Sequence, residues 1–95
     1  MYFFKSFDQT SSGWIGELWI PGLTPARVSI TALGTRLEVT IAPMNSDDAT
    51  LVVKPHAIEM GDEAVTEESV KAQIEHHLQY WLYDYSERLA KAGGV

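Results

Sequence analysis

The sequence of 95 residues contains no cysteine. This absence excludes disulfides, thiolate nucleophiles and cysteine-ligated zinc sites. No apolar stretch approaches the roughly 20 residues that a membrane-spanning helix needs. The apolar run at the start is too short for a signal peptide and lacks a basic flank. We therefore expect a cytoplasmic protein without a membrane partner.

Basic residues are also scarce. Seven Lys and Arg stand against 13 Asp and Glu, which gives a formal net charge of −6 and a pI near 4.8. Nucleic-acid binding needs a basic face from which counterions are released, so the composition argues against a nucleic-acid partner. A small acidic protein is better suited to a protein partner that carries a basic patch.

Catalytic motifs are missing as well. No serine lies in a Gly-x-Ser-x-Gly elbow, and no glycine-rich loop opens a helix that could hold a phosphate. The adjacent carboxylates at Asp47-Asp48, Asp62-Glu63 and Glu67-Glu68 fall in expected loops and helix caps, where nothing desolvates them. The sequence thus predicts no enzymatic activity and no cofactor.

The chain has enough apolar material for one core. Apolar residues make up 45% of it and include three Trp, four Tyr and three Phe. A chain of this length forms one domain, since compact domains run from about 50 to 250 residues. We predict a single α+β domain over residues 1–95, with a sheet over 1–58, an acidic linker over 59–65 and a helix over 66–92.

Alternation of apolar and polar residues predicts the centre of the sheet. Two strands with one apolar side each flank a tight connection at 33–35, and their apolar residues are Val28, Ile30 and Ala32, then Leu37, Val39 and Ile41. Further strands are expected over 1–7 and 14–20, and a short fifth strand over 50–53, before Pro55. We therefore predict a four- or five-stranded antiparallel sheet packed on one face by a single long C-terminal helix.

The predicted helix has clear signals at both ends. Thr66 can cap the first N–H groups, Glu67 and Glu68 follow it, and Gly93-Gly94 offers a left-handed exit. At 100° per residue, one broad arc should pack on the sheet, formed by Val70, Ile74, His77, Leu78, Trp81, Leu82, Tyr85 and Leu89. We expect Trp81→Ala to be the most destabilising single change on this helix.

Two short segments resemble known families. The run from Glu17 to Leu23, followed by Val28, Ile30, Arg36, Leu37 and Ile41, resembles the first half of the α-crystallin domain of small heat-shock proteins, where a strand ends in a Leu-Pro-Gly turn and leads to a one-sided hairpin. That resemblance implies chaperone function, and a self-associating structural or chaperone-like subunit is one alternative function. The family's second half is absent, and a long helix stands in its place.

The second segment, Gln73 to Leu78, resembles the third histidine box of front-end fatty acid desaturases. Those membrane di-iron enzymes need several such boxes, whereas this chain has only His56, His76 and His77. Adjacent residues on a helix point about 100° apart, so we expect His77 to face the sheet and His76 to face solvent. We predict no metal site, but a small metal-dependent enzyme built on His56, His76 and a nearby carboxylate stays open as a second alternative.

The face of the helix opposite the apolar arc carries a stripe at spacings of three and four residues. We call it the tyrosine stripe, and it consists of Gln73, His76, Tyr80, Tyr83 and Glu87. Tyrosine is enriched at interfaces because it offers a large contact area with a polar tip.

An acidic segment precedes the helix and adds to this surface. Its members Glu59, Asp62 and Glu63 could steer a basic partner. We predict that the tyrosine stripe and the acidic segment form the contact surface of a non-catalytic protein-binding module, a small inhibitor or accessory regulator of a larger machine. Formation of a homo-oligomer through the same stripe or through an edge strand stays open.

Overall fold

The computed structural model describes residues 3–92 and shows one antiparallel sheet followed by one long helix. The elements in chain order are β1 (Phe3–Gln9), β2 (Gly13–Trp19), β3 (Ala26–Leu33), β4 (Arg36–Pro43), β5 (Ile58–Glu59) and α1 (Glu67–Lys91). The strands lie in the order β1-β2-β3-β4-β5, so each one pairs with its neighbour in sequence. The predicted α+β fold is confirmed.

Short connections join β1 to β2, β2 to β3 and β3 to β4, whereas the longer segment 44–57 joins β4 to β5. Thr10 and Gly13 close the first turn, since the Thr10 amide donates to the Gly13 carbonyl at 2.8 Å and the Gly13 amide donates to Thr10 Oγ1 at 3.1 Å. Gly34 joins β3 to β4 with φ of +64°, a left-handed conformation that glycine adopts without strain. The hairpin that it closes is paired from Ala26↔Pro43 to Leu33↔Arg36, as the alternation predicted.

A bulge in β1 changes which side chains face the core. The register shifts between Phe4 and Ser6, so Phe4 and Phe7 both lie on the inner face although they are three residues apart. Their rings meet edge to face, with centroids 5.2 Å apart. Gly16 lies beneath them, and a Cβ placed on Gly16 would come within 2.8 Å of the Phe4 ring. The inner face therefore needs a residue without a side chain at this position.

Helix α1 covers the inner face of the sheet. Thr66 caps it by accepting a hydrogen bond from the Ser69 amide, as predicted, while the predicted exit at Gly93 and Gly94 lies outside the described residues. Six of the eight residues in the predicted arc are buried, namely Val70, Ile74, Leu78, Leu82, Tyr85 and Leu89. Within residues 3–92, no helix combines the length and apolar character needed to cross a membrane.

The other two residues of the arc, His77 and Trp81, are only half-buried. Both lie in the same half of the arc, whereas Tyr85 lies near its centre, is fully buried and donates its hydroxyl hydrogen to the Thr24 carbonyl at 2.9 Å. Burial raises the pKa of Tyr85 from 10.0 to about 12. Tyr85, rather than Trp81, is thus the central aromatic anchor between the helix and the sheet.

The fifth strand does not lie where the sequence predicted it. Residues Ala49–Leu51 form a short 3-10 helix, and Val53 makes an isolated bridge with Ile41. The cause is Asp48, whose Oδ1 accepts hydrogen bonds from the Thr50 amide at 2.9 Å and the Thr50 hydroxyl at 2.7 Å and so turns the chain. These bonds also lower the pKa of Asp48. The prediction of a strand over 50–53 was therefore wrong, and the fifth strand is Ile58–Glu59.

Candidate functional site

A groove runs between helix α1 and the segment 53–59, with a volume of about 540 Å³. The helix wall consists of Gln73, His77, Tyr80, Trp81 and Asp84, and the opposite wall includes His56, Ile58 and Glu59. The helix wall is the flank that joins the buried arc to the tyrosine stripe. Residues 53–59 pair with β4 at Val53 and again at Ile58–Glu59, with an irregular stretch between these two points.

Aromatic and imidazole rings form a continuous row along the helix wall. Trp81 stacks on His77, one helical turn earlier, with ring centroids 5.3 Å apart and an interplanar angle of 19°. His76 meets His77 edge to face at 5.1 Å. Trp81 thus has two roles, because part of its surface packs against the core cluster and part lines the groove.

The tyrosine stripe lies beside this groove. Tyr80 and Tyr83 are each 68% exposed, and His76 and Glu87 are also exposed. Gln73 is half-buried and lines the groove together with Tyr80, whereas His76, Tyr83 and Glu87 lie farther round the helix. The structure therefore places two stripe residues in the groove wall and three on the open helix surface next to it.

The acidic segment adjoins the first turns of the stripe. Glu59, Asp62 and Glu63 are all exposed, and the Gln73 Nε2 donates to Glu63 Oε1 at 3.3 Å. Glu59 also lines the groove, opposite Gln73 and Tyr80. The two groups of residues that the sequence singled out thus meet at the groove.

Charge is distributed unevenly between the two parts of the chain. Residues 59–92 hold eight acidic and three basic residues, a net charge of −5, whereas residues 1–58 hold five acidic and four basic residues, a net charge of −1. Arg88, one of the three basic residues, pairs with Asp84 at 3.3 Å and donates to the Thr50 carbonyl at 3.2 Å. The part of the chain that contains the helix is therefore the more acidic one.

The histidines are not arranged as the metal alternative required. His56 lines the groove with His77, while His76 does not line it. Among residues 3–92, no three side chains of His, Asp or Glu lie close enough together to hold a metal ion. The helical spacing predicted that His77 would face the sheet. It did not indicate that His77, Trp81 and Asp84 line a groove. Their position at the edge of the apolar arc was the signal that could have identified them.

Comparison with known proteins gives no relative from which to transfer a function. No family model matches the chain, and no curated protein and no solved structure matches it either. No function can therefore be transferred to this chain from a relative.

Proposed function

We propose that this chain is a non-catalytic protein-binding module whose contact surface is centred on Tyr80 and Tyr83. The observation that carries the proposal is their exposure, 68% each, against 46% or less for the other exposed large apolar side chains among residues 3–92. Neither tyrosine contributes to the core. Exposed tyrosines offer contact area at a modest entropic cost, which is the chemistry of a binding hot spot.

The charge around the tyrosines supports a partner with a basic patch. Glu59, Asp62 and Glu63 lie at one end of this surface and Glu87 at the other. Opposite charges across an interface mainly accelerate association, and added salt weakens that effect. We expect binding to slow as the salt concentration rises. An inhibitor or accessory regulator would act by this binding alone.

The proposal can be tested by capturing partners from the native host with tagged protein and identifying them by mass spectrometry. The double variant Tyr80→Ala/Tyr83→Ala should lose the partner. A matched control is Leu33→Ala/Met44→Ala, which truncates two exposed apolar side chains outside the helix, 46% and 39% exposed. The control should retain the partner. If the tyrosine variant captures the same protein in the same amount, the assigned surface is wrong.

Two further measurements separate the alternatives. A mass in light scattering that rises with concentration and returns to that of a monomer in Tyr80→Ala/Tyr83→Ala would identify a self-associating subunit instead. Stoichiometric transition metal in the purified protein would point to the metal-dependent enzyme. Once a partner is captured, a change in its activity on addition of the purified chain would establish the role of inhibitor or regulator.

A further inference from the structure

We infer that the groove between α1 and segment 53–59 receives an arginine side chain of the partner. The inference rests on the proposed function and specifies the chemistry that one part of the surface recognises. It follows from three features of the groove: its aromatic wall, its carboxylates and the absence of a lysine or arginine from its described lining.

The aromatic wall provides π surfaces for a cation. Tyr80 and Trp81 both line the groove, and Trp81 is held in place by its stack on His77. A guanidinium group binds to the faces of such rings through cation–π attraction and stacking. The aliphatic part of an arginine would lie against Pro55 and Ala57, the accessible apolar residues of the opposite wall.

Two carboxylates are positioned to pair with the charge. Glu59 lies on the wall opposite the helix, and Asp84 lies on the helix wall. The Glu59 carboxylate makes no ion pair with any side chain of residues 3–92, whereas Asp84 pairs with Arg88. No lysine or arginine of the described chain lines the groove. Of the two groove carboxylates, that of Glu59 therefore has no lysine or arginine partner among residues 3–92.

The outer face of the sheet holds a cation, an aromatic ring and a carboxylate together. There the Lys5 ammonium lies 5.1 Å from the centre of the Trp19 ring and 4.0 Å from Glu17, which also accepts a hydrogen bond from the Trp19 indole. The groove holds the aromatic ring and the carboxylate of such a set but not the cation. A partner would supply it, and arginine fits better than lysine because its planar group can stack on a ring and pair with a carboxylate at once.

The test uses the full chain labelled with ¹⁵N and the three indole N–H signals of Trp14, Trp19 and Trp81. The variants Trp19→Phe and Trp81→Phe assign these signals. The probe is acetyl-Gly-Arg-Gly-amide, compared with the same peptide carrying citrulline or lysine. We expect the arginine peptide to shift the Trp81 signal in a saturable way, the citrulline peptide to cause no saturable shift, and lysine to bind at least about threefold more weakly.

The variant Glu59→Gln should weaken binding of the arginine peptide about fivefold. Asp47→Asn, which removes the same charge in an exposed loop away from the groove, should leave it unchanged. Equal binding of the citrulline or lysine peptide, or a response confined to Trp19, would overturn the inference. So would an equal loss in both charge variants, because it would show that net charge rather than the groove attracts the peptide.

Failure of this inference is distinguishable from failure of the proposed function. If the arginine peptide does not bind but Tyr80→Ala/Tyr83→Ala still loses the partner, the contact surface stands and the arginine receptor is wrong. If the peptide binds and the tyrosine variant keeps its partner, the groove recognises arginine apart from the proposed surface.

Discussion

The outer face of the sheet and the outer flank of α1 both face solvent. They differ in whether their exposed aromatic side chains have a polar or charged partner within the chain. On the sheet, Lys5 pairs with Glu17, and Arg36 pairs with Glu38 at 3.6 Å. Even the exposed Trp19 has a cation over its ring and a hydrogen bond from its indole. Residues 1–58 have a net charge of only −1.

The helix flank is the opposite case. Tyr80 and Tyr83 are exposed, no cation within the described part of the chain lies over either ring, and residues 59–92 have a net charge of −5. Solvent exposure alone therefore does not mark a binding surface in this molecule. The difference lies in the exposed aromatic side chains, since Trp19 has a cation and a hydrogen-bond acceptor close to it and Tyr80 and Tyr83 have no such cation among residues 3–92. If the helix flank is a binding surface, its exposed side chains should contribute little to the free energy of unfolding. The expected effects on that free energy follow, from the largest to the smallest.

Tyr85→Ala should be the most destabilising change on the helix. It removes a fully buried aromatic side chain at the centre of the arc and should lower the free energy of unfolding by about 3–5 kcal/mol. Trp81→Ala should cost less, because that ring is half-buried and part of it lines the groove. Urea unfolding followed by circular dichroism measures both. If Trp81→Ala lowered the free energy of unfolding more than Tyr85→Ala, Trp81 would be the main anchor of the helix, as the sequence predicted.

Gly16→Ala should destabilise the sheet side. The new methyl group would come within 2.8 and 3.1 Å of the Phe4 and Phe7 rings, which must then move apart. Overpacking of this kind costs about 1–3 kcal/mol. A control is Gly22→Ala, where no atom lies within 4 Å but φ is +82°, so its cost comes from the backbone alone. Unfolding in urea compares the two, and an unchanged midpoint in Gly16→Ala would contradict the described packing of β1.

Tyr85→Phe should cost about 1 kcal/mol near neutral pH, because it removes the hydrogen bond to the Thr24 carbonyl. The pKa of Tyr85 is raised to about 12 by burial, so its contribution to stability is fully present below pH 10 and is lost as the pH rises from 10 towards 12. The stability of the wild-type chain should therefore fall relative to that of Tyr85→Phe over this range. If the free energies of unfolding of the two proteins changed equally between pH 10 and pH 12, the Tyr85 hydroxyl would not be buried as described.

Tyr80→Ala and Tyr83→Ala should have the smallest effect on folding, within about 0.5 kcal/mol each, because both side chains are exposed. This result is also the control for the capture experiment, since it shows that a lost partner is not due to unfolding. Thermal unfolding of the single and double variants provides the measurement. A loss above about 2 kcal/mol in either single variant would mean that the helix flank supports the fold and would remove the contrast with the sheet.

The sequence predicted the elements whose patterns are long. Alternation over β3 and β4 and the Thr66 cap of α1 located a hairpin and a helix correctly, because many residues repeat the same signal. The fifth strand was misplaced because Ile58–Glu59 is too short to show a period, and the β-branched run at 50–53 is turned by Asp48. Local side-chain hydrogen bonds overrode strand propensity there.

The candidate site was predicted in part. The helical spacing predicted that Tyr80 and Tyr83 would be exposed, and they are. The groove could not be predicted, since one of its walls is the irregular segment around His56, whose path depends on where β5 pairs with β4. The contact between Gln73 and Glu63 likewise joins residues ten positions apart across a loop, for which periodicity carries no information.

The extra residue in β1 has a consequence for the behaviour of the chain at high concentration. A free sheet edge invites another strand to add to it, and this is the first step towards fibres and uncontrolled assembly. The irregularity beside Lys5 interrupts the even spacing of amide and carbonyl groups that an incoming strand would need, and it places a charged residue there. The first strand therefore protects the protein from stacking edge to edge.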